Sequence, residues 1–198
     1  MYICRHKIKK KDKRAMNTLV SIITVNYNGL ADTCEMIDSF RNHETYPHYE
    51  IIVVDNGSRL PEAEEIQERY RGNLVPGGSL SGSPASDNPV PFPPVKVVRN
   101  INNGFAGGNN AGLKTAGGDY LFFINNDTLI KEPVLEALVR RMECDPQRNG
   151  GVSPMLKFAA CPDILQYAGF TPLSSLTLRN ASIGFMQQDG PRFRTPCE

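Results

Sequence analysis

Four short stretches rich in Asn, Asp and Gly hold most of the chemistry available to this chain. They are Asn26-Tyr27-Asn28-Gly29, Asp55-Asn56-Gly57-Ser58, Asn100 to Asn110, and Asn125-Asn126-Asp127-Thr128. Asp127 has no basic neighbour until Lys131. Such a carboxylate suits a divalent cation shared with phosphate oxygens, or it caps the helix that follows. Asp55 can accept a hydrogen bond from a nucleobase or a ribose, or it only closes a turn. Tyr27 stacks on a base or packs over a sheet edge. The run Gly104-Phe105-Ala106-Gly107-Gly108-Asn109-Asn110 lets backbone approach a ligand and offers amides to a phosphate. Its GxxGG spacing fits neither the dinucleotide nor the P-loop pattern.

Each stretch follows an apolar run, and those runs must position it. Leu19–Val25, Tyr49–Val54, Val95–Arg99 and Tyr120–Ile124 are dense in β-branched and aromatic residues, as strands buried on both faces are. Gly151–Phe158 is a weaker fifth. Between them lie helical patterns. Leu30, Cys34, Ile37 and Phe40 share one face; Pro61 opens a second helix with Ser58 as a candidate cap. Asn109–Ala116 makes a third, and Pro133–Cys144 a fourth. The alternation predicts an α/β fold, a Rossmann-like, mostly parallel sheet with helices on both faces. In such a sheet ligands bind outside the carboxyl ends of the strands, where all four polar stretches fall. Residues 72–94, rich in Pro, Gly and Ser, are expected to be a surface insertion, since 23 residues is long for a connection within a domain.

Composition narrows the class. The chain has 198 residues, 40% apolar, with 22 basic and 21 acidic side chains. Seven of the basic ones lie in residues 1–14 beside a single acid, leaving residues 15–198 with 15 basic against 20 acidic groups, a formal charge of −5. A nucleic-acid-binding body is thereby excluded. No apolar run approaches the roughly 20 residues of a spanning helix. Residues 1–17 read as a basic, disordered tail, which is either solvated or drawn to an anionic membrane surface through residues 1–14. The five cysteines form no CxxC pair, so free thiols and a cytoplasmic location are expected, with a peripheral contact at the inner face of the membrane if the tail binds there.

Together VSIITVNYNG, YEIIVVDNGS, VKVVRNINNGFAGGNNAGLKTAGGDYLFFINNDT and GGVSPMLKF resemble the nucleotide-sugar-binding portion of family 2 glycosyltransferases of the GT-A fold, nearest the rhamnosyltransferase-like branch. The resemblance runs from about Leu19 to Phe170 and implies transfer of a sugar from a nucleoside-diphosphate donor to a hydroxyl of a glycan or lipid-linked glycan, with inversion. It implies a hexosyltransferase-class enzyme that serves polysaccharide synthesis. Tyr27, Asn28 and Asp55 would contact the nucleotide, with Arg99 near them. Asn103 to Asn110 would line the sugar-diphosphate pocket, with Asn103, Gly104, Gly107 and Asn110 as its donor contacts. Asn125-Asn126-Asp127 stands in the place of the family's DxD motif, with Asn126 beside the donor and Asp127 as ligand of Mn²⁺ or Mg²⁺. The family's catalytic-base carboxylate matches no acid here, because Asp163, Asp189 and Glu198 are the only ones after Asp145. The expectation is a GT-A domain over 18–170 that is incomplete at its C-terminus, with 171–198 beginning an acceptor region. The alternatives are an inactive nucleotide-binding fragment or partner subunit, or a nucleotide-binding domain of other chemistry such as nucleotidyl transfer.

Overall fold

The computed structural model describes residues 1–6, 18–70, 93–145, 147 and 149–194. In chain order the first compact unit, Met1–Val152, contains β1 (Tyr2–Arg5), β2 (Val20–Asn26), α1 (Leu30–His43), β3 (Tyr49–Asp55), α2 (Glu62–Arg69), β4 (Val95–Arg99), α3 (Gly104–Thr115), β5 (Tyr120–Phe123), α4 (Leu135–Cys144) and β6 (Gly151–Val152). The strands form one sheet in the order β4-β3-β2-β5-β1-β6. Neighbours among β4, β3, β2 and β5 are parallel, and β1 lies antiparallel between β5 and β6. This is the expected α/β fold with a mostly parallel sheet.

The continuous apolar strands are explained by burial on two sides. One side packs Ile22, Ile51, Val53 and Phe122 against Met36, Ile37 and Phe40 of α1, Ile66 of α2 and Leu138 and Met142 of α4. The other packs Ile23, Ile52, Val54 and Leu121 against Ala111 and Leu113 of α3. Helix α3 starts at Gly104, five residues before the expected boundary, so the glycine run is mostly helix rather than loop. The glycines do their work on the sheet side. A Cβ on Gly112 would lie 2.6 Å from Ile23 Cγ2, and one on Gly108 2.9 Å from Val25 Cγ1. Their i, i+4 spacing makes a flat face that sits directly on β2.

The N-terminus corrects the expectation of a wholly disordered tail over 1–17. Ile3 is fully buried, Tyr2 stacks on Phe123 at 5.1 Å, and His6 N–H donates to Asp119 O at 2.7 Å. Alternating residues of a four-residue strand outweigh the surrounding charge because β5 would otherwise leave its ladder open on that side. Residues 7–17, which hold most of the basic run, and 71–92, nearly all of the expected insertion, lie outside the described residues.

The expected fifth strand is two. Gly151–Val152 pairs with β1, whereas β7 (Leu156–Phe158) belongs to a second compact unit, Ser153–Glu198, with β8 (Cys161–Tyr167) and β9 (Gln187–Gln188). Ser153-Pro154 separates them, so the division falls at residue 152 rather than 170. In the second unit the order is β7-β8-β9, all antiparallel. Its base carries Asp189 between Lys157 (2.8 Å) and Arg194 (2.7 Å). The Lys157 hydrogen bond, with help from Arg194, holds the Asp189 carboxyl below the usual range. No helix among the described residues is long and apolar enough to cross a membrane.

The burial of Ile3 gives a direct check on β1. Truncation to alanine in a closed core costs about 2–5 kcal/mol. Ile3→Ala is therefore expected to lower the Tm by on the order of 10 °C, while Arg5→Gln on the same strand changes it little. Equal, small effects of both in a thermal melt would remove β1 from the sheet.

Candidate functional site

Strand register brings the polar stretches together. Asn26, Asp55 and Arg99 end their strands as direct neighbours across the sheet. The ladder continues one step past the strands, with Asn56 N–H donating to Asn26 O and Asn100 N–H to Asp55 O, each at 2.8 Å. Beyond this edge lies a cleft of about 390 Å³ lined by Tyr27, Asn102, Phe105, Asn126 and Asp127, among others. A larger groove of about 1050 Å³ runs between α1 and α2. Its walls carry Asp32, Glu35, Asp38, Glu65 and Glu68, which would repel a diphosphate, so the smaller cleft is the candidate site.

A closed polar network joins the strand ends to α1 and α2 next to the cleft, and its Gly29 and Glu62 line the larger groove. The Asn26 side chain is fully buried. Its amide donates to Glu62 Oε2 (2.8 Å), Asp55 Oδ1 (3.2 Å) and Ser58 Oγ (3.2 Å), and its oxygen accepts from Thr33 Oγ1 at 2.7 Å. Glu62 Oε2 also accepts the Gly29 N–H at 3.1 Å. Asp55 Oδ1 receives the Ser58 hydroxyl as well, whereas no donor among the described residues reaches its Oδ2. One carboxylate oxygen is thus fixed and the other remains for a ligand. Two buried carboxylates without a basic partner are tolerable here because neutral donors satisfy them and Glu62 sits in the first turn of α2.

The expected site residues divide into groups. Tyr27, Gly104, Asn126 and Asp127 line the cleft. Asp55 ends β3 at the sheet edge, is 8% exposed and is not part of the cleft lining. Asn28 does not line it. In a left-handed conformation (φ 54°), its N–H donates to Ser58 Oγ at 3.0 Å and its Oδ1 accepts the Arg59 N–H at 2.9 Å, tying two loops together. Arg99 is exposed and paired with Glu64 of α2. Asn103 precedes α3, accepts from Asn100 Nδ2 at 2.9 Å, and its side chain occupies the space where Gly107 would carry a Cβ. Asn110 is exposed on α3, outside the cleft lining.

Asp127 is not a helix cap. Helix α4 begins eight residues later, and Glu44 Oε2 accepts the Val134 and Leu135 N–H groups there at 2.9 and 3.1 Å. Asp127 itself is exposed, and no hydrogen bond or ion pair reaches its carboxylate from the described residues. The first turn of α3 forms another wall, with Gly104 and Phe105 at the cleft and no side-chain cap from Asn103. Asn102 Oδ1 accepts the Gly104 N–H at 3.2 Å; the other N–H groups of that turn and the helix dipole favour an anion. Ser58 also takes no cap position, since α2 is preceded by Pro61.

Sequence reasoning passed over Glu62 and Thr33, and it named Asn102 and Phe105 only as members of a polar stretch. An acid in the first turn of a helix is ordinarily solvated, and only tertiary placement reveals Glu62 as buried. Asn126 has a second duty that its position in the motif conceals. Its Nδ2 donates to Thr33 Oγ1 at 3.1 Å, with Gly29 O at 3.5 Å. Thr33 spends its own proton on Asn26, so residue 126 must be a donor. Asn126→Asp is expected to destabilise the fold by about 1–3 kcal/mol at neutral pH, by setting a carboxylate against unpaired acceptors. The added carboxyl would have a raised pKa in the folded state, so the deficit should shrink as pH falls and it protonates. Thermal melts from pH 7 to about pH 4 test this; unchanged stability at pH 7 would remove the donor role.

The chain matches the model of the family described as glycosyl transferase family 2 over residues 21–154. It is 26% identical over 132 residues to an uncharacterized glycosyltransferase of Haemophilus influenzae, covering 66% of this chain and 37% of that one. Among solved structures, Staphylococcus aureus TarS 1–349 in complex with UDP-GlcNAc matches with a TM-score of 0.48 and 22% identity, covering 63% of this chain and 31% of that chain. The mannosyltransferase PcManGT of Pyrobaculum calidifontis, in complex with GDP-Man and Mn²⁺, matches with a TM-score of 0.48 and 20% identity, covering 66% of this chain and 33% of that chain. The chain thus spans well under half the length of these relatives. The family match takes in the sheet edge, the Asn26 network and the cleft carboxylate, and the chain belongs to glycosyl transferase family 2.

Proposed function

We propose that this chain binds a nucleoside-diphosphate sugar in the 390 Å³ cleft and serves its transfer, with inversion, to a hydroxyl acceptor on a glycan or lipid-linked glycan. One observation carries the reading. An exposed carboxylate that no described residue partners, Asp127, faces the same cleft as the Tyr27 ring and the first turn of α3. Those are the three environments that a cation-bound diphosphate, a base and phosphate oxygens require.

Roles follow from position. Tyr27, about half exposed, offers a face on which the base stacks. Asp55 Oδ2 accepts a hydrogen bond from base or ribose while its Oδ1 is immobilised by Asn26 and Ser58. The α3 amides hold phosphate oxygens. No group of three or more His, Cys, Asp or Glu side chains converges among the described residues. A single carboxylate fits Mg²⁺ or Mn²⁺ only where substrate phosphates and water complete the coordination, as is usual for Mg²⁺. Asp127 would hold it. When bound, such an ion supplies positive charge against the departing diphosphate.

Among the described residues no other carboxylate lines the cleft, so these residues carry donor binding rather than deprotonation of the acceptor. General-base catalysis typically contributes about 10²–10⁴-fold, and this polypeptide alone is expected to transfer slower than a complete enzyme by that order. Turnover at the rate of a complete enzyme would place a base within the chain. By resemblance to the rhamnosyltransferase-like branch, a thymidine-diphosphate sugar is the first donor to try. Free thiols at Cys4, Cys34, Cys144 and Cys161 support a reducing, cytoplasmic setting.

Thermal shift with dTDP, UDP and GDP and their sugars, each with and without Mn²⁺ or Mg²⁺, tests donor binding. A ligand at 100 times its Kd should stabilise the fold by about 2.7 kcal/mol. One diphosphate should do so with metal present, and Asp127→Ala should abolish the metal dependence without lowering the ligand-free Tm. A response equal in Asp127→Ala and parent would remove Asp127 from the site. No response to any nucleotide would favour the reading as an inactive subunit.

A further inference from the structure

The second compact unit contains a hairpin that the proposed donor chemistry does not use. Its arms are joined by Thr171 N–H to Ala181 O and Ser174 N–H to Arg179 O, both 2.9 Å, and its turn is closed by Leu178 N–H to Ser174 O at 2.9 Å. At the tip stand Leu173, Leu176 and Leu178, which are 60%, 90% and 72% exposed. Phe170, at the Phe170–Ser182 bridge nearer the base, is half exposed and meets Tyr167 edge-on at 5.1 Å.

Leu178 is costly in water twice over. Its side chain is exposed, and its backbone is left-handed, at φ 53°. That position in a turn ordinarily takes Gly or Asn, and a residue with a branched side chain there costs about 1 kcal/mol. Met186, in the same unit, repeats the combination, 63% exposed with φ 58°. Strain spent on holding apolar side chains outward points to something that receives them.

Charge distribution says what receives them. From Ile164 to Gln188 there is no acid, and Arg179 is the one charged side chain. Beyond those bounds Asp163 and Asp189 stand at the strand ends, with Lys157 and Arg194 on Asp189. Along the hairpin the order is charged base, aromatic middle (Tyr167, Phe170), one cation, then leucines. A graded order of that kind suits a segment at a lipid interface, where headgroups and water can meet the peptide groups of the tip.

We propose that the 170–182 hairpin inserts its leucine tip into the interfacial region of an anionic lipid bilayer, with Arg179 at the headgroups and Tyr167 and Phe170 at the boundary. This contact is separate from any made by the basic run of residues 1–14, and it does not depend on the donor reading.

The chain has no tryptophan, so Leu176→Trp supplies a single reporter. On addition of phosphatidylcholine vesicles with about 30% phosphatidylglycerol, its emission should shift to the blue and be quenched by brominated acyl chains. In co-sedimentation with the same vesicles, a triple variant, Leu173→Ser, Leu176→Ser and Leu178→Asn, should lose binding by about ten-fold or more. Asn suits the left-handed position, so its circular dichroism and melt should match or exceed the parent's. Arg179→Gln should lower binding to anionic vesicles and leave neutral ones unchanged. An unshifted reporter overturns the proposal. So does sedimentation that the triple variant retains and about 0.5 M salt abolishes, since that assigns the contact to the basic run. A parent that is dimeric by light scattering, and monomeric only as the triple variant, also overturns it in favour of a second copy of the chain.

Discussion

The Asn26 side chain is the joint on which the site is assembled. It is buried at the end of a central strand, where water cannot satisfy it, so all of its hydrogen bonds must come from protein. Its donors reach the loop after β3 and the first turn of α2, and its acceptor reaches α1. Thr33 passes the connection on to Asn126 in the loop after β5. Three crossovers that share no covalent constraint near the cleft are therefore held by one amide, and the orientations of Asp55 and Asn126 are fixed together.

On the opposite side of the sheet the constraint is space. Gly108 and Gly112 let α3 lie against β2, which brings the start of α3 to the edge where Tyr27 emerges. A helix set farther from the sheet would carry its N-terminal amides away from the cleft. Glycine in a helix interior costs roughly 1 kcal/mol relative to alanine, and close packing of Ile23, Ile52 and Val54 offsets that cost. The amides that face the cleft thus depend on side chains absent from the other side of the same helix.

Much of this was legible in the sequence. Dense β-branched runs marked the parallel strands, and the Asn, Asp and Gly stretches after them marked the edge that carries the cleft. The start of α3 was not legible, because Gly104 to Gly108 has the composition of a loop, and only the fit of its bare face to β2 makes it a helix. Strand β1 was hidden by its setting in a basic run, since four residues are too few to show alternation against so much charge. The family resemblance marked Asn28, Arg99, Asn103, Gly107 and Asn110 for the pocket. The structure instead places Asn28 in a loop-to-loop tie and Arg99 in an ion pair with α2. Neither Asn103, Gly107 nor Asn110 lines the cleft. Residue type shows what a side chain can bond to, but orientation is set by neighbours distant in sequence.

The placement of β1 bears on how the chain is made. Tyr2–Arg5 leaves the ribosome more than a hundred residues before its partners Tyr120–Phe123. At about 5–20 residues per second, the strand waits on the order of ten seconds before it can pair. During that interval β2, β3 and β4 can already assemble, and the N-terminal segment remains outside as an apolar strand with an open edge. Charges flanking an apolar edge strand oppose its pairing with other chains, and the lysines that follow Arg5 in the sequence supply such charge during that interval.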